Sequence, residues 1–154
     1  MPTAWGSDLR LVLDTNTALS GLIWRGVPGE LIDSAISGRV QLISSSPLLS
    51  ELEGVLRRPK FQQSLQKHGV SGSDLFDGYA ALVECVAPAD LGGPVSRDPD
   101  DDQVLAAAVG GGADLIVSGD DDLLVLGGHQ GIPIVSAREA LNCLERQDDS
   151  SGNR

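Results

Sequence analysis

Two aspartates stand where a carboxylate can do chemistry. Asp14 follows the apolar run Leu9-Arg10-Leu11-Val12-Leu13, and Asp120 follows Asp114-Leu115-Ile116-Val117-Ser118; both runs read as short buried strands. If those strands are parallel, both carboxylates reach the carboxyl edge of one sheet, where ligands bind. Singly, an aspartate after a strand also reads as a helix cap or a turn former. A third acidic element is Asp98-Pro99-Asp100-Asp101-Asp102. Acids in a first helical turn complement the helix dipole, and Asp98 with Pro99 makes a cap and first residue. Yet Asp101 projects with Val104, Leu105 and Ala108, near the middle of an apolar stripe, with Asp102 at its edge and Asp100 on the far side. An inward carboxylate wants a counter-charge. On the helix that starts at Pro47, Glu51 and Glu53 flank the apolar stripe on opposite sides; periodicity does not choose between them, and either also reads as a solvated surface acid.

Carboxylates gathered at one sheet edge repel unless a divalent cation sits among them. Oxygen ligands without nearby His or Cys favour magnesium or manganese over zinc. Other site chemistries fail on spacing. A calcium loop starting at Asp98 would have Gln103 at its sharp-turn glycine and Val109 at its closing glutamate. Gly110-Gly111-Gly112 follows a helix and precedes a strand, the reverse of a phosphate cradle, and reads as a helix stop. His68 and His129 are isolated, and Ser44 to Ser46 lacks a glycine elbow, so no nucleophile and base are paired.

Alternating elements must position these side chains. Besides the two strands above, Val40 to Ile43, Cys85-Val86-Ala87 and Ile132 to Val135 read as strands. Helices are predicted over Glu30 to Ser37, from Ser46-Pro47 to near Arg58, over Ser73 to Val83 with Ser73 or Asp74 as cap, from Asp98 through Ala108, and over Ala137 to Leu144. The alternation predicts an α/β fold, a central parallel sheet with helices on both faces. The 154 residues correspond to one domain at about 150 residues each, placed at 1–146, with a polar, loose tail at 147–154.

Composition narrows the setting. Hydrophobic residues at 41% and charged residues at 21% argue for a folded chain, and aromatics at 3% leave few stacking platforms for bases. Cys85 and Cys143 show no paired spacing, no leader opens the chain, and no apolar run approaches the roughly 20 residues of a membrane helix. A soluble, cytoplasmic protein is expected. The net charge of −11 argues against broad non-specific binding to nucleic acid, although seven acids lie in the two runs at 98–102 and 120–122.

Taken in order, the residues resemble a known family. Leu11-Val12-Leu13-Asp14-Thr15-Asn16, then Glu51-Leu52 leading into Val55-Leu56-Arg57-Arg58-Pro59-Lys60-Phe61, then Arg97-Asp98-Pro99-Asp100-Asp101-Asp102, then Ser118-Gly119-Asp120-x-Asp122-Leu123-Leu124 are similar to the PIN-domain family. The likeness is to its toxin branch, the VapC-like ribonucleases of toxin–antitoxin modules. It runs from about Leu9 to Leu144 and is poorest over Gln62 to Ser96. The resemblance implies a three-layer α/β/α fold with an acidic site at the carboxyl edge of the strands. It implies Asp14, Glu51, Asp101 and Asp120 as the catalytic and metal-holding centre, Asn16 and Ser118 as hydrogen-bonding support, and Asp98 and Asp122 as outer or second-metal ligands. Ser118 departs from the more usual threonine but keeps the hydroxyl.

The implied activity is cleavage of single-stranded or structured RNA with Mg2+ or Mn2+, the implied partner an antitoxin covering the acidic edge, and homodimers follow by analogy. Arg25, Arg57, Arg58 and Lys60 become candidates for RNA backbone contacts, although basic residues at helix ends also simply complement the dipole. Two alternatives stay open: a phosphatase or phospho-acceptor domain with an acidic magnesium site, which wants a lysine beside a nucleophilic aspartate and has only Lys60 and Lys67 to draw on, and a PIN-like binding module without turnover.

Overall fold

The computed structural model describes residues 9–152, with side chains through Gln147. The chain opens with β1 (Leu9–Leu13), α1 (Thr15–Ile23), α2 (Gly26–Ile36), β2 (Val40–Ser44), α3 (Ser46–Leu56), α4 (Pro59–Lys67), α5 (Gly72–Leu82) and β3 (Glu84–Cys85). A loop leads to α6 (Pro99–Gly111), β4 (Leu115–Val117), α7 (Asp121–Leu126), β5 (Gly128–His129), β6 (Ile132–Val135) and α8 (Ala137–Gly152). No described helix is long and apolar enough to cross a membrane.

The strands form one sheet in the order β3-β2-β1-β4-β6-β5. Every pairing is parallel except β5 with β6. The chain steps from β1 outward to β2 and β3, then returns to lay β4 on the other side of β1. That reversal opens a crevice beyond the carboxyl ends of β1 and β4, the usual place for a ligand in such sheets.

Alternation along the strands sorts the core into two layers. Leu11 and Leu13 of β1, Leu42 of β2, and Leu115 and Val117 of β4 face one side, against α1, α2, α8 and most of α3. Val12, Ile43, Ile116 and Ile134 face the other side, against α6 and Leu123 of α7. Each fully buried aliphatic side chain contributes about 1.5–3 kcal/mol, so both layers hold the sheet firmly and fix where its carboxyl edge lies.

Several elements differ from the sequence expectation. Helix α1 begins at Thr15, directly after its cap Asp14, and α2 starts at Gly26 rather than Glu30 because the two helices meet at a tight corner of two residues, Trp24 and Arg25. Helices α1, α4 and α7 and strand β5 lie where no element was expected. Strand β5 also runs against the others, turned back by Gln130 and Gly131, both at positive φ, as a two-residue hairpin requires. The caps of α3 and α5 are Ser45 and Ser71, each one or more residues earlier than expected. Helix α6 continues through Gly110 and Gly111 and ends at the left-handed Gly112, with Asp98 as cap and Pro99 first. Helix α8 carries on to Gly152, where a loose tail from Gln147 was expected; the last two residues of that tail, like residues 1–8 of the expected domain, lie outside the described residues.

Candidate active site

The crevice at the switch point is built on Asp14. Its backbone N–H continues the β1–β4 ladder by donating to the Val117 carbonyl at 3.0 Å. The side chain is 5% exposed. Oδ1 accepts the Thr17 N–H at 2.8 Å, which caps α1, and Oδ2 accepts the Ser118 hydroxyl at 2.5 Å. Capping and site-building are therefore one arrangement: the cap contact holds one oxygen and turns the carboxylate toward the crevice. Ser118, 1% exposed, also accepts the Asp120 N–H at 2.9 Å. One hydroxyl thus ties the ends of β1 and β4 together.

Asp120 caps α7 by accepting the Asp122 N–H at 2.9 Å. Across from it, the first turn of α6 carries Asp101 inward, 6% exposed, with a buried Oδ2 that has no hydrogen-bond partner. Its carboxyl is pushed up to about 7, first by burial, then by the charge and hydrogen bonding of Asp120, with Asp98 and Asp14 adding to it. Carboxylate oxygens of Asp101, Asp120 and Asp122 all lie within 4.8 Å of one another. Two oxygens on one octahedral magnesium are at most about 4.2 Å apart, so a small side-chain adjustment lets this trio share an ion.

Glu51 enters from α3. Thr15 Oγ1 donates to its Oε1 at 2.5 Å. Burial raises the Glu51 pKa, the Thr15 hydrogen bond opposes that, and Asp100 and Asp98 raise it further. The result is a polar cleft of about 290 Å³ lined by Asp14, Glu51, Asp98, Asp100, Asp101 and Asp120, with Thr15, Asn16, Val55, Arg58 and Val104. Every charged donor in it except Arg58 is a carboxylate. An all-oxygen acidic set with an orphaned buried oxygen fits a hard divalent cation and fits zinc poorly.

Of the residues singled out in the sequence, Asp14, Glu51, Asp101, Asp120, Asp98 and Asn16 come together in this cleft, with Ser118 beneath. Glu51 is the α3 acid that lines it; Glu53 instead pairs with Arg57 at 3.2 Å. Asp122 sits in an adjoining cleft of about 680 Å³ that shares Asn16 and Asp120. Asn16 gives none of the hydrogen-bonding support expected of it among the described residues: it is the second residue of α1 and stands exposed on the rim. The basic candidates part company. Arg58 lines the cleft. Arg25 is drawn away to Asp33, Arg57 lies on a separate cavity against α4 and α5, and Lys60 rests over the Phe61 ring.

Four participants carry no role in the sequence reading. Thr15 fixes Glu51, and Asp100 faces it across the cleft; a helical wheel turns Asp100 away from the core, which is also what points it at the α3 side. Arg97 pairs with Asp122 at 3.1 Å. Asp102 accepts the N–H groups of Val95 and Ser96, at 3.1 and 2.7 Å, and so holds the segment that delivers Arg97 and Asp98. A carboxylate binding backbone ahead of its own helix leaves no periodic signal.

Comparison with known proteins adds a family and a fold. Residues 10–122 match the family model described as PIN domain. Among solved structures, the chain is similar to one in the crystal structure of VapBC2 from Rickettsia felis bound to a DNA fragment from their promoter. The TM-score is 0.55 at 13% identity, covering 82% of this chain and 97% of that one. At that identity the likeness is one of fold. Comparison with curated proteins gives no significant match.

Proposed function

We propose that this chain, which belongs to the PIN-domain family, is a Mg2+- or Mn2+-dependent endoribonuclease and the toxin of a toxin–antitoxin module. The observation that carries this reading is Asp101: a buried carboxylate with an unpartnered oxygen, held among Asp14, Asp98 and Asp120 in one cleft. Left without a cation, that arrangement is repulsive; PIN domains generally use a divalent metal, and the donors here suit one.

A bound divalent cation neutralises the acids, acidifies water and offsets charge that develops on a phosphodiester. The chain's own residues do the rest. Asp14, fixed at both oxygens by Thr17 and Ser118, keeps its direction without reorganising. Glu51, with one oxygen held by Thr15, Asp100 facing it and its pKa raised, is suited to take a proton from an attacking water. Arg58 on the cleft wall offers charge-assisted hydrogen bonds to a phosphate oxygen. The VapBC2 likeness supports an antitoxin that covers the acidic edge. A phospho-acceptor reading wants a lysine, and neither Lys60 nor Lys67 lines the cleft.

The test is incubation of purified protein with RNA and Mg2+ or Mn2+, alongside Asp14→Asn and Asp101→Asn. The expected result is metal-dependent cutting that falls at least about 100-fold in each variant. Equal degradation by all three proteins overturns the reading. Phosphate release from a small monoester without RNA cutting turns it to a phosphatase, and RNA binding without turnover to a binding module.

A further inference from the structure

Trp24 closes α1 and is the most exposed aromatic side chain among the described residues, with 63% of its surface in solvent. A bare indole is held in place from two sides. Its ring meets the buried Phe61 edge-on, with centroids 5.9 Å apart at 71°, and the Lys60 ammonium lies 4.9 Å from the centre of the same Phe61 ring. Behind it, the α1–α2 corner turns at Arg25, the residue between Trp24 and α2, at φ 66° and ψ −105°. That is a strained conformation for a residue with a side chain, and such strain persists where the surroundings impose it. Here tight packing imposes it: a Cβ on Gly21 would stand 2.6 Å from Ile32 Cδ1, and one on Gly29 would press on Arg25. The Arg25 guanidinium is turned back to Asp33 and the Gly21 carbonyl, so the corner presents the ring and withholds the neighbouring charge.

Position gives the ring a meaning. Helix α1 starts at Asp14 in the acidic cleft, and its length puts Trp24 about 15 Å from there. A second route joins the same two places: Arg58 lines the cleft and precedes α4, whose first turn carries Phe61 against Trp24 and Lys60 over the Phe61 ring. Among the described residues Arg58 makes no ion pair. Guanidinium, ammonium and open aromatic face thus follow one another away from the cleft on a chain that is otherwise strongly acidic. Phosphates and unstacked bases follow one another in the same way along a single nucleic-acid strand, and a duplex, whose bases stack internally, offers this ring no face.

We propose that Trp24, with Lys60, docks an unpaired base and its phosphate on the RNA strand whose cleavage site lies in the acidic cleft. This rests on the RNA-cleaving reading, and the test keeps the two apart. In a Trp5→Phe, Asp101→Asn background with Mg2+, which reports Trp24 fluorescence without cutting, labelled single-stranded and double-stranded oligoribonucleotides are titrated by fluorescence and anisotropy. The single strand should quench Trp24 and bind better than the duplex. Trp24→Ala should weaken single-strand binding about tenfold or more, Trp24→Phe much less, and Lys60→Ala should lower the salt slope by about 0.7. Hydrolysis of bis(p-nitrophenyl) phosphate, too small to span the distance, should be the same in Trp24→Ala as in the parent with Asp101 intact. Unchanged RNA affinity in Trp24→Ala, or a fluorescence unmoved by saturating RNA, overturns the proposal. So does a Trp24→Ala protein that keeps its RNA affinity and instead loses a dimer in sedimentation, which makes the ring an interface between protein chains. Trp24-dependent RNA binding with no hydrolysis of either substrate upholds the docking site and removes the nuclease reading.

Discussion

Removing the Asp101 charge should stabilise the metal-free protein at neutral and alkaline pH. The carboxyl is buried, has an oxygen without a partner, and faces Asp120, Asp98 and Asp14, which together lift its pKa to about 7. An ordinary aspartate titrates near 3.9. A folded-state value above the unfolded one means the folded protein holds its proton more tightly; the associated stability is complete below about pH 4 and lost as pH rises through about 7. At roughly 1.4 kcal/mol per pH unit, the gap sets a ceiling of about 4 kcal/mol. Asparagine keeps the shape and donates an N–H toward Asp120 as the protonated acid does, while its second amide hydrogen, buried without an acceptor, takes back about 1 kcal/mol. Asp101→Asn should therefore raise stability in EDTA at pH 8 by about 1–3 kcal/mol, or about 3–10 °C in Tm, with the gain gone at pH 4. Urea unfolding followed by circular dichroism at both pH values measures it. A variant no more stable than wild type at pH 8, with the same difference at pH 4, would refute the reasoning.

Two further substitutions test the frame around the site. Ser118→Ala strands Asp14 Oδ2 and the Asp120 N–H; it should lose about 1–3 kcal/mol in urea unfolding and reduce RNA cleavage, whereas Ser118→Thr should keep most of both. Gly110→Ala would put a Cβ 2.1 Å from the Ala87 carbonyl oxygen, so it should destabilise by at least about 1–3 kcal/mol. Gly54→Ala, with open space around it in the last turn of α3, should instead stabilise by up to about 0.5–1 kcal/mol; thermal melts of the two proteins distinguish them.

How much of this was legible depended on the length and contrast of each signal. Strands β1, β2, β4 and β6 are apolar runs bounded by polar residues, and α6 announces itself by Asp98-Pro99 and the closing glycines, so the sheet and its acidic edge follow from pattern alone. Helix α1 was hidden because Thr15, Asn16, Thr17 and Ser20 dilute its stripe and Gly21 sits within it; its evidence is tertiary, in the packing of Gly21 against α2. Helix α4 buries only Phe61 and Leu65, and α7, β5 and β3 are too short to show a period. At the site, the inward turn of Asp101 was readable from its helix, but the choice of Glu51 over Glu53 needed either the family likeness or the Thr15 contact. Arg25 illustrates the opposite case: its charge looked available in the sequence, and only the strained corner shows it committed to Asp33.

The most direct measurement is the anomalous scattering of manganese in crystals grown with Mn2+. A peak in the cleft at ordinary oxygen-ligand distances from Asp101 and Asp120, completed by Asp14, Glu51 or Asp122 and absent in Asp101→Asn crystals, is the expected result. Manganese found only on outlying surface acids, or unchanged by Asp101→Asn, would contradict a shared cation at the end of β1 and β4.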